Sequence, residues 1–104
     1  MEKINLHINS TPVKASRGAS LCGVVGSGNL EILFQKGDAP DACLFEVNTS
    51  ANGFSATWGS VLQDFAENHA VGGLKVIIND MGATPAVVTL RLGQGLAKYM
   101  EAAS

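Results

Sequence analysis

A serine flanked by two glycines is the first residue of this chain whose setting suggests chemistry. In the segment VVGSGNLEILF, Ser27 lies between Gly26 and Gly28, after two valines and before an alternating run. Because glycine has no Cβ, the backbone there can take a positive φ and a bulky group can approach the hydroxyl closely. Such a displayed hydroxyl suits a nucleophile, a phosphate cradle, a covalent attachment point or a plain polar turn.

A catalytic serine needs a general base within hydrogen-bond reach, and the sequence offers two histidines. His69 falls on or beside the apolar stripe of a predicted helix, and His7 falls on the polar face of a predicted edge strand. The nucleophile-elbow pattern G-x-S-x-G also fails, because Val25 stands where its first glycine belongs. The residues therefore favour an acceptor hydroxyl on a non-catalytic protein over a small serine hydrolase.

Phosphate-loop and metal-site patterns match poorly. The glycines precede a strand pattern rather than a helix start, so the dinucleotide motif G-x-G-x-x-G is not met, and no G-K-[ST] occurs. Cys22, Cys43 and the histidines show no paired ligand spacing, which predicts no metal site. We expect two buried thiols rather than a disulfide. Among the carboxylates, Asp80 stands out because it lies beside the Gly82 loop.

Bulk composition limits the class of protein. The chain has 104 residues, which predicts a single domain over 1–104. Its apolar fraction of 46% and charged fraction of 15% exclude a disordered tail. A net charge of −2 provides no basic field for nucleic acid, and no apolar stretch approaches the length of a bilayer span. The N-terminus lacks a signal peptide's apolar core, so we expect a cytoplasmic protein.

Periodicity predicts the elements that must position Ser27. Period-two alternation predicts strands at 3–8, 30–35, 43–48, 74–79 and 86–92, and the short apolar run at 21–25 is consistent with a further strand. Helical spacing predicts helices at 54–69 and about 94–102. Asn52 or Ser55 is expected to cap the first helix, and Trp58 to lie in the core. Arg91 is expected on the outer face of the 86–92 strand, as a surface residue rather than an anion ligand.

These elements predict an α+β fold, a two-layer α/β sandwich. A mainly antiparallel mixed sheet of about five strands would be covered on one face by the two helices. The runs at 30–35 and 43–48 are close enough in sequence to form an antiparallel hairpin. The connection through the first helix can join two parallel strands.

Three segments together resemble the family of malonate decarboxylase acyl carrier proteins, the small delta-type subunits. They are GVVGSGNLEILF at 23–34, TSANGFSATW at 49–58 and NDMGATPAVVTLRLGQGL at 79–96. Their order, their spacing and the total length agree with that family, so the resemblance covers nearly the whole chain. One position departs from it: Asn29 stands where the family more often has Asp, which keeps the shape and removes a charge.

The resemblance implies that Ser27 carries 2′-(5″-phosphoribosyl)-3′-dephospho-CoA through a phosphodiester, with Gly26 and Gly28 framing the attachment point. It implies a phosphoribosyl-dephospho-CoA transferase that installs this arm and a malonyl transferase that exchanges acetyl for malonyl on its thiol. It also implies decarboxylase subunits that regenerate the acetyl carrier and release carbon dioxide. The chain itself would be a bacterial, cytoplasmic and non-catalytic carrier subunit.

Two alternatives stay open at the level of sequence. The chain is a structural or regulatory subunit if Ser27 never receives the arm, and a small hydrolase if Ser27 is an activated nucleophile. Whether the loop at 82–85 lies near Ser27, and which surface meets each partner, cannot be decided from the sequence.

Overall fold

In the computed structural model, two helices pack on one face of a five-stranded sheet. The structure describes residues 2–12, 24–27, 29–37, 39–50 and 52–103, with 24–27 and 101–103 described by their backbone. The strands are β1 (Glu2–Asn9), β2 (Val24–Ser27), β3 (Leu30–Lys36), β4 (Ala42–Thr49) and β5 (Leu74–Asp80). The helices are α1 (Ser55–Asn68) and α2 (Pro85–Ala103).

The strand order across the sheet is β1-β4-β5-β3-β2. Strands β4 and β5, which are joined through α1, are parallel, and the other three neighbouring pairs are antiparallel. The predicted α+β class, the mainly antiparallel mixed sheet of five strands and the parallel connection through the first helix are therefore confirmed. Strands β1 and β2 form the two edges.

Alternation along each strand separates a helix face from an open face. On the helix face, central side chains of β3, β4 and β5 are fully buried: Ile32, Phe34, Phe45, Val47, Val76 and Ile78. Helix residues such as Leu62 and Leu92 complete this core. The residues between them along each strand point to the open face and are more exposed, including Glu31 and Leu44. Period two therefore predicted the buried face of these strands correctly.

The predicted strand at 86–92 is wrong, because this segment is the first half of α2. Val88, Leu92 and Leu96 are buried at intervals of four residues, which matches one face of a helix as well as it matches a strand. The predicted helix at 94–102 is the second half of the same element. Arg91 consequently lies on a helix and is half-buried, rather than on the outer face of a strand.

The start of α2 carries a sequence signal that decides between helix and strand. Thr84 precedes the helix and its Oγ1 accepts a hydrogen bond from the backbone N–H of Val87 at 3.3 Å. Pro85 occupies the first helical position, where its missing N–H costs nothing. The Thr-Pro pair is therefore a helix start, and it outweighs the strand preference of the β-branched residues that follow.

The predicted hairpin between 30–35 and 43–48 is also wrong. Strand β5 lies between β3 and β4 and pairs with both. The antiparallel partner that lies next to β3 in sequence is instead β2, which precedes it, and the two are joined by a tight turn between Ser27 and Leu30. The strand predicted at 21–25 is found at Val24–Ser27, and residues 21–23 lie outside the described residues.

Helix α1 begins without the predicted side-chain cap. Its N-cap residue is Phe54, which makes no side-chain capping hydrogen bond, so neither Asn52 nor Ser55 has the expected role. The carbonyl of Phe54 accepts the N–H of Trp58 at 2.9 Å and opens the helix. Trp58 is only 7% exposed, which confirms it as a core residue. Neither described helix combines the length and apolarity of a membrane span.

Candidate attachment site and the adjoining pocket

Ser27 is the last residue of the edge strand β2 and pairs with Leu30 in β3. Leu30 pairs with Asp80 in β5, and Asp80 pairs with Thr49 in β4. These four residues form one row across the end of the sheet, which we call the terminal row. Neighbouring strands lie about 4.8 Å apart, so the Cα atoms of Ser27 and Asp80 are separated by about 10 Å.

The loop that joins β5 to α2 lies against the turn that joins β2 to β3. The backbone N–H of Met81 donates to the carbonyl of Asn29 at 2.8 Å. Gly82 has a φ of 112°, a left-handed conformation that favours glycine, and a Cβ added there would meet no atom within 4 Å. The loop at 82–85 therefore lies beside the turn that follows Ser27, with open space around Gly82.

The side chain of Asp80 holds this loop in place through hydrogen bonds. It is 4% exposed, and its Oδ2 accepts a hydrogen bond from the hydroxyl of Thr49 at 2.8 Å. Its Oδ1 accepts the backbone N–H groups of Gly82 at 3.1 Å and Ala83 at 2.7 Å. Three donors, one from β4 and two from the loop, converge on the carboxylate of Asp80 at the end of β5, so Asp80 is a structural anchor. The sequence singled it out, but its partner Thr49 gave no signal.

A pocket of about 290 Å³ opens beside the loop, between the first turns of α1 and α2. Its apolar lining consists of Phe54, Trp58, Val61, Ala83, Pro85 and Val88. Phe54 is 52% exposed whereas Trp58 is 7% exposed, so the pocket runs from the surface to the core. Among the described lining residues, Asp80 alone is charged. Sequence reasoning missed this pocket because its walls come from three separate segments.

A second polar feature crosses three strands on the open face and ends on β3, beside β2. Asn48 donates from Nδ2 to Oδ1 of Asn79 at 3.0 Å, and Asn79 donates from Nδ2 to Oε1 of Glu31 at 3.1 Å. Glu31 pairs with Gly26 in the sheet register. This chain of amide and carboxylate groups fixes three strands in register beside the predicted attachment segment.

Neither candidate base lies near Ser27. His7 belongs to β1, which is the opposite edge of the sheet, four strand intervals or about 19 Å from β2. His69 follows α1 at the other end of the sheet, where the hydroxyl of Ser10 donates to its carbonyl at 3.1 Å. Its ring stacks on Phe65, with the centroids 4.5 Å apart. Since the sequence contains two histidines, Ser27 has no imidazole to activate it.

The other predicted chemical groups play structural roles or fall outside the described residues. Cys43 is fully buried in the core, and desolvation raises the pKa of its thiol to about 12, so the thiol is inert at neutral pH. Cys22 and Gly28 lie outside the described residues. Within the part of the chain that the structure describes, no three His, Cys, Asp or Glu residues cluster as metal ligands.

The guanidinium of Arg91 has only part of its hydrogen-bonding capacity satisfied. Its Nη1 donates to Oε1 of Gln94 at 3.4 Å, which is a long hydrogen bond. Its Nε is enclosed and has no hydrogen-bond partner among the described residues. The long apolar stem of arginine packs well on a helix surface, so this position is compatible with a packing role.

Comparison with known proteins gives a consistent result. The family model of the malonate decarboxylase delta subunit (MdcD) matches residues 17–99. The malonate decarboxylase acyl carrier protein of Acinetobacter calcoaceticus is 54% identical over 95% of this chain and 97% of its own length. That of Burkholderia cepacia is 55% identical over 75% of this chain and 71% of its own length.

The fold also matches a solved structure. A chain in the crystal structure of a Pseudomonas malonate decarboxylase hetero-tetramer in complex with malonate is 30% identical, with a TM-score of 0.77 over the whole of both chains. The predicted resemblance is therefore confirmed by sequence and by fold together. Because the family model spans most of the chain and a relative is more than half identical over nearly its full length, the chain belongs to the malonate decarboxylase delta subunit family of acyl carrier proteins.

Proposed function

We propose that the chain is the acyl carrier subunit of a malonate decarboxylase, with Ser27 as the attachment point of 2′-(5″-phosphoribosyl)-3′-dephospho-CoA. The observation that carries this proposal is the position of Ser27 at the end of an edge strand, followed by a tight turn and remote from both histidines. A modifying enzyme can approach such a residue from outside the sheet. Neither of the two histidines lies near enough to turn the hydroxyl into a nucleophile.

The surroundings of Ser27 fit a bulky anionic group. Among the described strands, β2 pairs with β3 alone, and the neighbouring loop has open space at Gly82. The turn is nevertheless held in place, because Asn29 is bonded to Met81 and Asp80 anchors the loop. When attached, the arm would supply a thiol that carries acetyl or malonyl as a thioester. An anchored turn with open space beside it suits the attachment of a group that must reach several active sites.

Catalysis is assigned to partner subunits. We propose that a phosphoribosyl-dephospho-CoA transferase installs the arm, that a malonyl transferase loads malonyl, and that decarboxylase subunits release carbon dioxide. The solved Pseudomonas relative is a chain of a hetero-tetramer, which supports association of this chain with other subunits. The roles that remain for this chain are to display Ser27, to anchor its turn through Asp80 and to present surfaces to these partners.

The proposal is tested by reconstituting malonate decarboxylation from the partner subunits and the arm-bearing carrier. We expect Ser27→Ala to reduce carbon dioxide release to the level without carrier, with an unchanged thermal unfolding curve. Ser60→Ala is the matched control, because Ser60 is an exposed serine on α1, and it should keep full activity. Full activity of the folded Ser27→Ala variant would contradict the proposal.

The two alternatives predict different results in simple assays. A serine hydrolase would react with a fluorophosphonate probe without any partner, and Ser27→Ala would abolish that labelling. A structural or regulatory subunit would assemble with the partners and support their activity whether or not Ser27 is present. The carrier proposal predicts no labelling of the isolated chain and a strict requirement for Ser27.

A further inference from the structure

We propose that the pocket between α1, the 81–84 loop and α2 is a docking site for the acetyl thioester end of the arm on Ser27, and that it excludes the malonyl form. This inference rests on the proposed function and adds to it a binding site on the carrier itself. The site would hold the product form of the carrier and release the substrate form to the partner enzymes.

The sheet register places the attachment point beside the pocket. Ser27 and Asp80 belong to the same terminal row, about 10 Å apart, and Asp80 lines the pocket. The hydrogen bond between Met81 and Asn29 joins the loop of the pocket to the turn after Ser27. An arm built from a nucleotide and a pantetheine chain is longer than this separation. The thioester end can therefore reach the pocket on the molecule to which it is attached, at a high effective concentration.

The lining favours a small neutral acyl group. Trp58, Val61 and Val88 supply apolar walls, and the pocket has a volume of about 290 Å³. Phe54 is half exposed at the helix start, so an apolar surface extends from the pocket to the solvent. Placing the acetyl methyl and the adjoining thioester there removes apolar surface of both partners from water.

The charge distribution disfavours malonyl. A malonyl thioester ends in a carboxylate, and the described lining residues include no cation that would pair with it. Asp80, the charged residue of the lining, would repel a second carboxylate, and its oxygens already accept three hydrogen bonds. An unpaired charge in an apolar site is unfavourable. The malonyl form should therefore stay in solvent, where a decarboxylase subunit can bind it.

The single tryptophan of the chain provides a readout that does not depend on catalysis. Four forms of the full chain are compared, each verified by intact mass: without the arm, with the free thiol, with acetyl and with malonyl. Acetylation should shift the emission of Trp58 to shorter wavelength, whereas malonylation should leave it as in the thiol form. We expect the equilibrium constant for docking to be about tenfold greater for acetyl than for malonyl, which corresponds to about 1.4 kcal/mol.

A second readout is the rate at which hydroxylamine cleaves the thioester. Docked acetyl should be cleaved more slowly in the wild type than in Ala83→Leu, whose larger side chain fills the pocket. Ala86→Leu is the matched control, because Ala86 is exposed and lies outside the lining. It should keep the protection. If Ala83→Leu does not fold, the comparison of acetyl with malonyl in the wild type still decides the matter.

Three results would overturn the inference. Equal Trp58 emission and unprotected acetyl in the loaded wild type would refute the docking site while leaving the proposed function intact. In a second outcome, acetylation alone leaves Trp58 emission unchanged, whereas adding a partner subunit changes it equally in the armless and acetyl forms. The pocket would then be a surface that binds a partner protein and not the acetyl group. Failure of an active transferase to load Ser27 would refute the proposed function, and the docking site with it.

Discussion

Replacing Asp80 with alanine should loosen the loop beside Ser27 and lower the free energy of unfolding by about 2.5–6 kcal/mol. The substitution removes the acceptor of three hydrogen bonds, from the Thr49 hydroxyl and from the backbone N–H groups of Gly82 and Ala83. The hydroxyl belongs to a fully buried residue, so losing its bond to a carboxylate costs about 1.5–3 kcal/mol. The two N–H groups are partly buried and should add about 0.5–1.5 kcal/mol each.

The assay is chemical denaturation of the arm-free chain, with unfolding monitored by Trp58 fluorescence and far-ultraviolet circular dichroism. Asp80→Asn is the matched variant, because its amide oxygen can still accept the two loop N–H groups while the Thr49 hydroxyl reorients. It should cost about 1 kcal/mol. An Asp80→Ala variant within about 0.5 kcal/mol of the wild type would refute the anchoring role. A loss as large for asparagine as for alanine would show that charge, rather than hydrogen bonding, is the stabilising feature.

Four further predictions concern stability. Trp58→Ala should cost about 3–5 kcal/mol in denaturant unfolding, because the indole is buried in the core; a change near zero would place it outside the core. Gly72→Ala should cost about 1–3 kcal/mol, since the added Cβ would lie 2.5 Å from the carbonyl oxygen of Ser10. Gly93 lies in α2, and a Cβ added there would meet no atom within 4 Å, so Gly93→Ala should raise the free energy of unfolding by about 0.5–1 kcal/mol. Equal effects of Gly72→Ala and Gly93→Ala in denaturant unfolding would contradict these two predictions. Burial raises the pKa of the Cys43 thiol from 9.0 to about 12, so between these two pH values only the unfolded thiol ionises. The stability contributed by the neutral, buried thiol should therefore be complete below pH 9.0 and lost as the pH rises to about 12. In that range the free energy of unfolding should fall by about 1.4 kcal/mol per pH unit. Cys43→Ala should therefore show a shallower alkaline loss, and parallel pH profiles would contradict the burial of the thiol.

The strands that cover the core were predictable because each has one buried face. Ile32 and Phe34 in β3, like Phe45 and Val47 in β4, alternate with more exposed residues, and no other regular structure gives that period. Their pairing was not predictable from proximity in sequence. Strand β5 enters between β3 and β4 only after the chain has passed through α1, so the parallel pair forms at long range.

Helix α2 shows how a local pattern can mislead. Val87, Val88 and Thr89 are β-branched and favour a strand, whereas Thr84 and Pro85 favour a helix start. The intervals of four residues between buried side chains fit both periods, so the apolar pattern could not decide. Packing on the sheet and the N-terminal cap decided it, which is the usual way in which tertiary context overrides propensity.

For the candidate site, the sequence predicts one residue and not its surroundings. The glycines around Ser27 and the resemblance to a carrier family are the basis on which Ser27 is proposed as the attachment residue. The docking of the 81–84 loop on Asn29 depends on strand order, and the pocket depends on three segments that meet only in the fold. Thr49 carries no motif at all, although its hydroxyl completes the anchor at Asp80.

The most direct test of the carrier function is mass spectrometry of the protein after coexpression with its transferase and the enzyme that makes the precursor. We predict an intact mass increased by one phosphoribosyl-dephospho-CoA group, located by peptide mapping on the peptide that contains Ser27. The Ser27→Ala variant should lack the adduct. An unmodified Ser27 peptide in the presence of a transferase shown to be active, or an adduct on another residue, would contradict the account.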